Sequence, residues 1–220
     1  MADKPAPRRA PPRYALLIGA AGLLGAAIGI GAALFRTPHS PAASDTPAAE
    51  GQQSLRAQVT WGPRRKLAPP IALPDENGTM VSLHSLRGHV VLLTFLDSRC
   101  KRECPVEGRT LAAVQRQVAG TSAELAVISV DPWADTAASV RVFAARSRWR
   151  GHWHWLLGRK TSLAPVWGAY NIVVKRTPGD ILHATALYLI DSRGYLRAGY
   201  LFPFAADVVA GDVRRLAAST

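Results

Sequence analysis

Cysteine is nearly missing from this chain. Its 220 residues include only Cys100 and Cys104. Two thiols allow one disulfide at most, and they are half of the four ligands that a structural zinc ion takes. The chain has no Gly-rich loop of the phosphate-cradling kind, no serine nucleophile motif and no internal repeat. Nothing therefore points to nucleotide chemistry, serine-based hydrolysis or a repeat architecture. Acidic residues are also few, 15 against 27 Lys and Arg, for a formal net charge of +12. From Trp61 onward, 21 basic and 12 acidic residues still leave +9, so the excess is not confined to the start of the chain. Such a balance attracts an acidic partner or anionic lipid headgroups, or simply keeps an Arg-rich domain soluble.

The longest uncharged run is residues 14–35, rich in Ala, Leu, Ile and Gly. As a helix it would span about 33 Å, one bilayer core. Lys4, Arg8, Arg9 and Arg13 precede it and only Arg36 follows closely. That bias predicts a cytoplasmic tail over 1–13, a single-pass membrane anchor over 14–35, and an extracytoplasmic (periplasmic) location for the rest. A cleaved signal peptide is the competing reading. Beyond a membrane, nucleic acid is not an expected partner. Residues 36–66 mix Pro, Ala, Ser, Thr and Gln without apolar periodicity and predict a flexible linker. The folded domain is expected over 67–220, long enough to bury a core.

Within it, a hairpin is expected over 71–83 and strands over 89–96, 123–130 and 153–157. Helices are expected over 106–118, 136–146, 162–170 and 205–217, with a late hairpin over 184–201 around Asp191-Ser192-Arg193-Gly194. Strands alternating with helices, then a hairpin and a closing helix, predict an α/β fold with a central mixed sheet flanked by helices. Cys100-Lys101-Arg102-Glu103-Cys104-Pro105 falls between a buried strand and the next helix, where sites in open α/β sheets form. Two thiols there can cycle between dithiol and disulfide or hold a soft metal ion. A purely structural disulfide would close a very short loop and add little stability.

With these elements in place, the domain resembles the Sco (SenC) family of membrane-anchored, thioredoxin-fold copper chaperones over residues 69–200. LPDENGTMVSLHSLRGHVVLLTFLDSRC (73–100) is similar to the segment leading into that family's CxxxCP motif. AELAVISVDPWADT (123–136) is similar to its DPxxDT turn, FAARSRWRGHWHWLLG (143–158) to its Trp-containing segment, and ILHATALYLIDSRGYLRAGY (181–200) to the stretch with a metal-binding His before YLID. The resemblance implies a thioredoxin-like fold with copper, as Cu(I) or Cu(II), bound through Cys100, Cys104 and His183. It implies delivery to the copper-site subunit of cytochrome c oxidase, for its dinuclear centre, with a thiol–disulfide reductase as a second partner. The donor types suit this, since thiolates are soft and neutral imidazole adds a donor without charge. The three-residue spacer is longer than that of thioredoxin-type redox motifs, and Thr185 stands where thioredoxin-like reductases commonly carry a proline. The chain departs from the family pattern at Lys101, where Pro is frequent, and at Asp97, where an aromatic is common. The alternative is a thiol–disulfide oxidoreductase that uses the Cys100–Cys104 dithiol on exported or oxidase-subunit cysteines. A peroxiredoxin-type reading lacks the Thr-x-x-Cys setting.

Other candidates read as structure. His152 and His154 form an HxH pair expected on a half-exposed strand with its tryptophans inward. His39, His84 and His89 read as surface residues. Asp131 is expected to end a strand and to stand behind the cysteines, and Asp135 to cap a helix.

Overall fold

The computed structural model describes residues 54–219. The expected tail, anchor and most of the linker lie outside the described residues. Among the described residues, no helix is long and apolar enough to cross a membrane.

The described residues form fourteen elements, and the sheet that positions the site is built around β4 (Val90–Leu96), all seven residues of which are buried. Val90, Leu92 and Leu96 face one core, while Val91, Leu93 and Phe95 face the other. A strand covered on both faces reads as a continuous apolar run, which is what VVLLTFL is. β5 (Ala123–Ser129) and β6 (Trp153–Leu156) follow in parallel register, Val91 opposite Glu124 and Leu125 opposite Trp153. The crossovers between them are α1 (Cys104–Gln117) and α2 (Ala137–Ser147). On the other side of β4, β9 (Ala186–Ile190) and β10 (Leu196–Leu201) run antiparallel, and β1 (Val59–Thr60) pairs with β10 at the edge. The order is β1-β10-β9-β4-β5-β6.

The face of Val90 and Leu92 is covered by α1, α2 and the final helix α4 (Ala206–Ala217) through Leu111, Val140, Val209 and Val213. Each such side chain contributes about 1.5–3 kcal/mol on burial. The opposite face is covered by α3 (Lys160–Ala169) and the hairpin of β2 (Ala72–Pro74) and β3 (Met80–Ser82), through Leu163, Trp167, Leu73 and Val81. That hairpin also closes the β6 edge. Glu76 Oε2 accepts the Trp155 N–H at 2.9 Å, and Leu157 N–H donates to Pro74 O at 2.8 Å. α1 and α2 touch at Gly108, where a Cβ would lie 2.5 Å from Ser147 Oγ and 2.8 Å from Phe143 Cε1. A larger residue there would force the Ser147 and Phe143 side chains to shift.

Three expectations are corrected. The linker reading fails over residues 54–66. β1 lies within them, Leu55 and Ala57 pack on the α4 side of the core, and Arg56 N–H donates to buried Asp212 at 2.7 Å. Polar composition hid a segment that is held by backbone pairing. Second, α1 begins at Cys104 rather than Val106, because Pro105 suits the first helical turn. Third, β7 (Val174–Thr177) and β8 (Asp180–His183) form a hairpin that was not expected. Its turn is Thr177-Pro178-Gly179-Asp180 with Gly179 at φ 79°, and Pro then Gly at the two central positions is a type II turn signal.

Candidate thiol and metal site

β4 ends just before Asp97-Ser98-Arg99-Cys100, and α1 opens at Cys104, so the two cysteines bracket the turn from a central strand into its helix. Lys101, Arg102 and Glu103 between them are exposed. Both thiols are free, Cys104 buried and Cys100 partly so. The Cys104 thiol donates to Cys100 Sγ, and the N–H groups of Arg102, Cys104 and Glu103 at the α1 N-terminus add further hydrogen bonds. These outweigh burial and hold Cys100 at about 5, well below a free thiol. The same Cys104–Cys100 bond, then burial, push the Cys104 thiol far up. The pair is a thiolate at Cys100 and a thiol at Cys104.

β8 ends at His183, whose Nε2 lies 3.6 Å from Cys104 Sγ. Burial holds this imidazole below its usual 6.5, so it is neutral at neutral pH. Its Nδ1 faces the Ala184 carbonyl oxygen at 3.0 Å, and that contact assigns the proton to Nδ1. The Nε2 lone pair is then turned to Cys104. One Cys104 proton thus faces two acceptors, the Cys100 thiolate and His183 Nε2. Arg102 pairs with Asp180 at 2.5 Å and links the cysteine turn to the β7–β8 hairpin, although both side chains are too exposed for the pair to add much stability. Among the described residues, no three His, Cys, Asp or Glu side chains form a finished metal cage. What is assembled is the chain Cys100–Cys104–His183.

Buried carboxyls stand behind this chain. Asp97 Oδ1 accepts the Arg99 N–H at 2.6 Å, and burial, reinforced by Asp135, Asp131 and Cys100, pushes Asp97 up to about 7. Asp135 does not cap α2. Thr136 does, in a capping box with Ser139. Asp135 instead accepts hydrogen bonds from Ser98 N–H and from the hydroxyls of Ser98 and Ser129, so it fixes the turn before Cys100, and burial raises it to about 6. Asp131 Oδ1 takes the N–H groups of Trp133 and Ala134 as β5 ends. Sequence reasoning missed Glu107, which is fully buried and pushed up to about 8 by desolvation. Thr94 donates to its Oε1 at 2.6 Å, and Oε2 has no partner. Its signal was in the chain, since Glu107 shares a helical stripe with Leu111, Val114 and Val118.

The HxH pair does not act together. His152 is exposed and precedes β6, while His154 bonds Asp75 at 3.1 Å and faces Glu124 at 3.5 Å. Trp155 is buried on the other face of the strand, as expected. His84 is exposed, but His89 is only half-exposed and pairs with Glu124 at 3.1 Å. His39 lies outside the described residues.

A family model described as SCO1/SenC matches residues 62–218, well over half of the chain. The chain belongs to the SCO1/SenC family. Among curated family relatives, the SCO1 protein homolog of Bacillus subtilis is 26% identical over 138 residues, 60% of this chain and 72% of that protein. The structure of Bradyrhizobium japonicum ScoI with copper bound shares 27% identity at a TM-score of 0.61, covering 68% of this chain and 99% of that one. BsSco, a member of the Sco family of cytochrome c oxidase assembly proteins in which a disulfide switch was identified, has the same fold. It aligns at TM-score 0.62 with 23% identity, over 74% of this chain and 100% of its own. The described residues thus adopt the thioredoxin-like α/β fold of this SCO1/SenC group, with a central mixed sheet and flanking helices.

Proposed function

We propose that this chain is a membrane-anchored copper chaperone of the extracytoplasmic side. Cu(I) is its cargo, carried by Cys100, Cys104 and His183 and passed to the copper-site subunit of cytochrome c oxidase. One observation carries the reading, the 3.6 Å between Cys104 Sγ and His183 Nε2. Bond lengths near 2.3 Å for sulfur and 2.0 Å for imidazole nitrogen put two donors on one trigonal or tetrahedral metal about 3.5–3.7 Å apart. Copper in the Bradyrhizobium japonicum relative supports the choice of metal. Chemically, Cu(I) takes the place of the Cys104 proton, and Cys100 already supplies a thiolate. Each ion bound at neutral pH releases one proton. Both cysteines must be reduced for this, which implies a thiol–disulfide reductase as partner.

The test is a competition titration of the reduced full-length chain with Cu(I), in mild detergent, alongside His183→Ala. One ion per chain, one proton released, and affinity weakened at least tenfold to about a hundredfold in the variant are expected. Binding indifferent to His183 would sink the assignment.

The second reading, a thiol–disulfide oxidoreductase, draws on the unequal cysteines. A thiolate at Cys100 is built to attack a disulfide, and a protonated, buried Cys104 is placed to resolve the mixed disulfide. Rapid reduction of a disulfide substrate together with His183-independent copper binding would favour it.

A further inference from the structure

Cys100 stands on a ridge between two clefts, each of about 570 Å³. The first opens toward the β7–β8 hairpin and is lined by Arg99, Lys101, Arg176 and Trp133, with Asp97, Asp131 and Asp180. The second opens toward α2 and is lined by Arg99, Lys101, Arg146, Thr136, Ser139 and Val142. No carboxylate lines the second cleft among the described residues. In the first, the four cations Arg99, Lys101, Arg102 and Arg176 outnumber the three acids. Asp180 pairs with Arg102, Asp131 takes two backbone N–H groups, and Asp97 is buried against the Arg99 N–H. Arg99, Lys101 and Arg146 are exposed and have no carboxylate partner among the described residues. Arg176 lies 4.9 Å over the ring of Trp133, itself 43% exposed.

We propose that this cationic ridge is the docking surface for an acidic protein segment. Arg99, Lys101, Arg146 and Arg176 hold that segment across Cys100, with Trp133 as the aromatic anchor at one end. It rests on the copper-transfer reading only for what passes at Cys100, since docking serves metal and disulfide exchange alike. An acidic polypeptide fits better than a lipid surface, because the thiolate lies between two concavities that a strand of side chains can fill and a flat bilayer cannot. Exposed charges of this kind act mainly on encounter and selection, and salt screens them.

The test uses the reduced full-length chain and three short peptides. Each carries one cysteine as a mixed disulfide with 5-thio-2-nitrobenzoate, flanked by Asp, by Ser or by Lys. The Cys100 thiolate attacks the peptide sulfur, the new S–S bond joins the peptide to the protein, and the aryl thiolate leaves with the electron pair of the broken bond. Its yellow colour gives the rate. At low salt the Asp peptide is expected to react about tenfold faster than the Ser peptide and the Lys peptide slowest, and high salt should level the three. Combined Arg99→Gln, Lys101→Gln, Arg146→Gln and Arg176→Gln substitution should abolish the preference, while the Ser peptide reports any change in the thiolate itself. Equal rates for the Asp and Ser peptides at low salt, or a preference that survives the four substitutions, would overturn the proposal. So would the absence of any Asp preference together with capture by phosphatidylserine vesicles but not by phosphatidylcholine vesicles. A chain that prefers the Asp peptide yet fails to bind Cu(I) keeps the docking surface and loses the copper reading. One that binds Cu(I) without preference does the reverse.

Discussion

Cys100 and Cys104 lie four residues apart and are chemically opposite. Cys100 collects hydrogen bonds from a thiol and from three N–H groups at a helix start, whereas Cys104 is buried inside that helix. Alkylation by iodoacetamide should follow suit. The Cys100 rate should rise with a midpoint near pH 5, as the thiolate forms above that value, and Cys104 should stay unmodified while Cys100 is free. A midpoint at the ordinary thiol value of about 8.5 would show that the hydrogen bonds are not made. The location of the pair was legible in the chain, because a buried strand followed by CxxxCP and a helical stripe leaves little choice. His183 was legible only through its family motif, since a loop histidine carries no signal of its own. The inequality of the two thiols was not legible. It depends on α1 opening at Cys104 instead of two residues later.

At the scale of elements, α1 is held to β4 by a polar contact as well as an apolar one. The Thr94 hydroxyl reaches Glu107, inside a core otherwise made of side chains such as Leu111 and Leu92. Burial raises Glu107 from 4.5 to about 8. A raised carboxyl stabilises the folded state fully below 4.5, and that stability drains away as pH climbs through 8, because the unfolded chain gives up its proton first. Glu107→Gln should flatten this slope. Urea unfolding should find the variant no more stable than the parent near pH 4 and more stable by a few kcal/mol, on the order of the shift itself, near pH 8. An unchanged slope would mean that Glu107 ionises freely in the fold. The major elements were readable because a short, continuous apolar run over 90–96 reads as a buried strand and the helical spacing over 111–118 admits one period. The β7–β8 hairpin escaped because its four-residue strands carry Lys175, Arg176 and Asp180, and polar strands that short have no periodicity to read.

Across the whole molecule, the start and end of the domain converge on Asp212. This fully buried carboxylate of α4 accepts from Tyr200 at 2.6 Å, from the Arg56 N–H at 2.7 Å and from Arg215 at 2.7 Å. A chain begun at Trp61 would lose β1 and one of these donors. Compared with a chain begun at Ala48, it should be less stable by about 1.5–3 kcal/mol in urea unfolding, the usual worth of one hydrogen bond to a carboxylate. Equal midpoints would show that residues 54–60 merely lie on the surface. The sheet they join is shut at both sides. At the β6 side, Glu76 and Pro74 occupy backbone donors that would otherwise face outward, and at the other the outermost strand is two residues long. A bare strand edge is a template on which a neighbouring copy can add its own strand. Among the described residues the six-stranded sheet offers none of useful length, so copies crowded on one surface would have no ready way to extend it from one domain to the next.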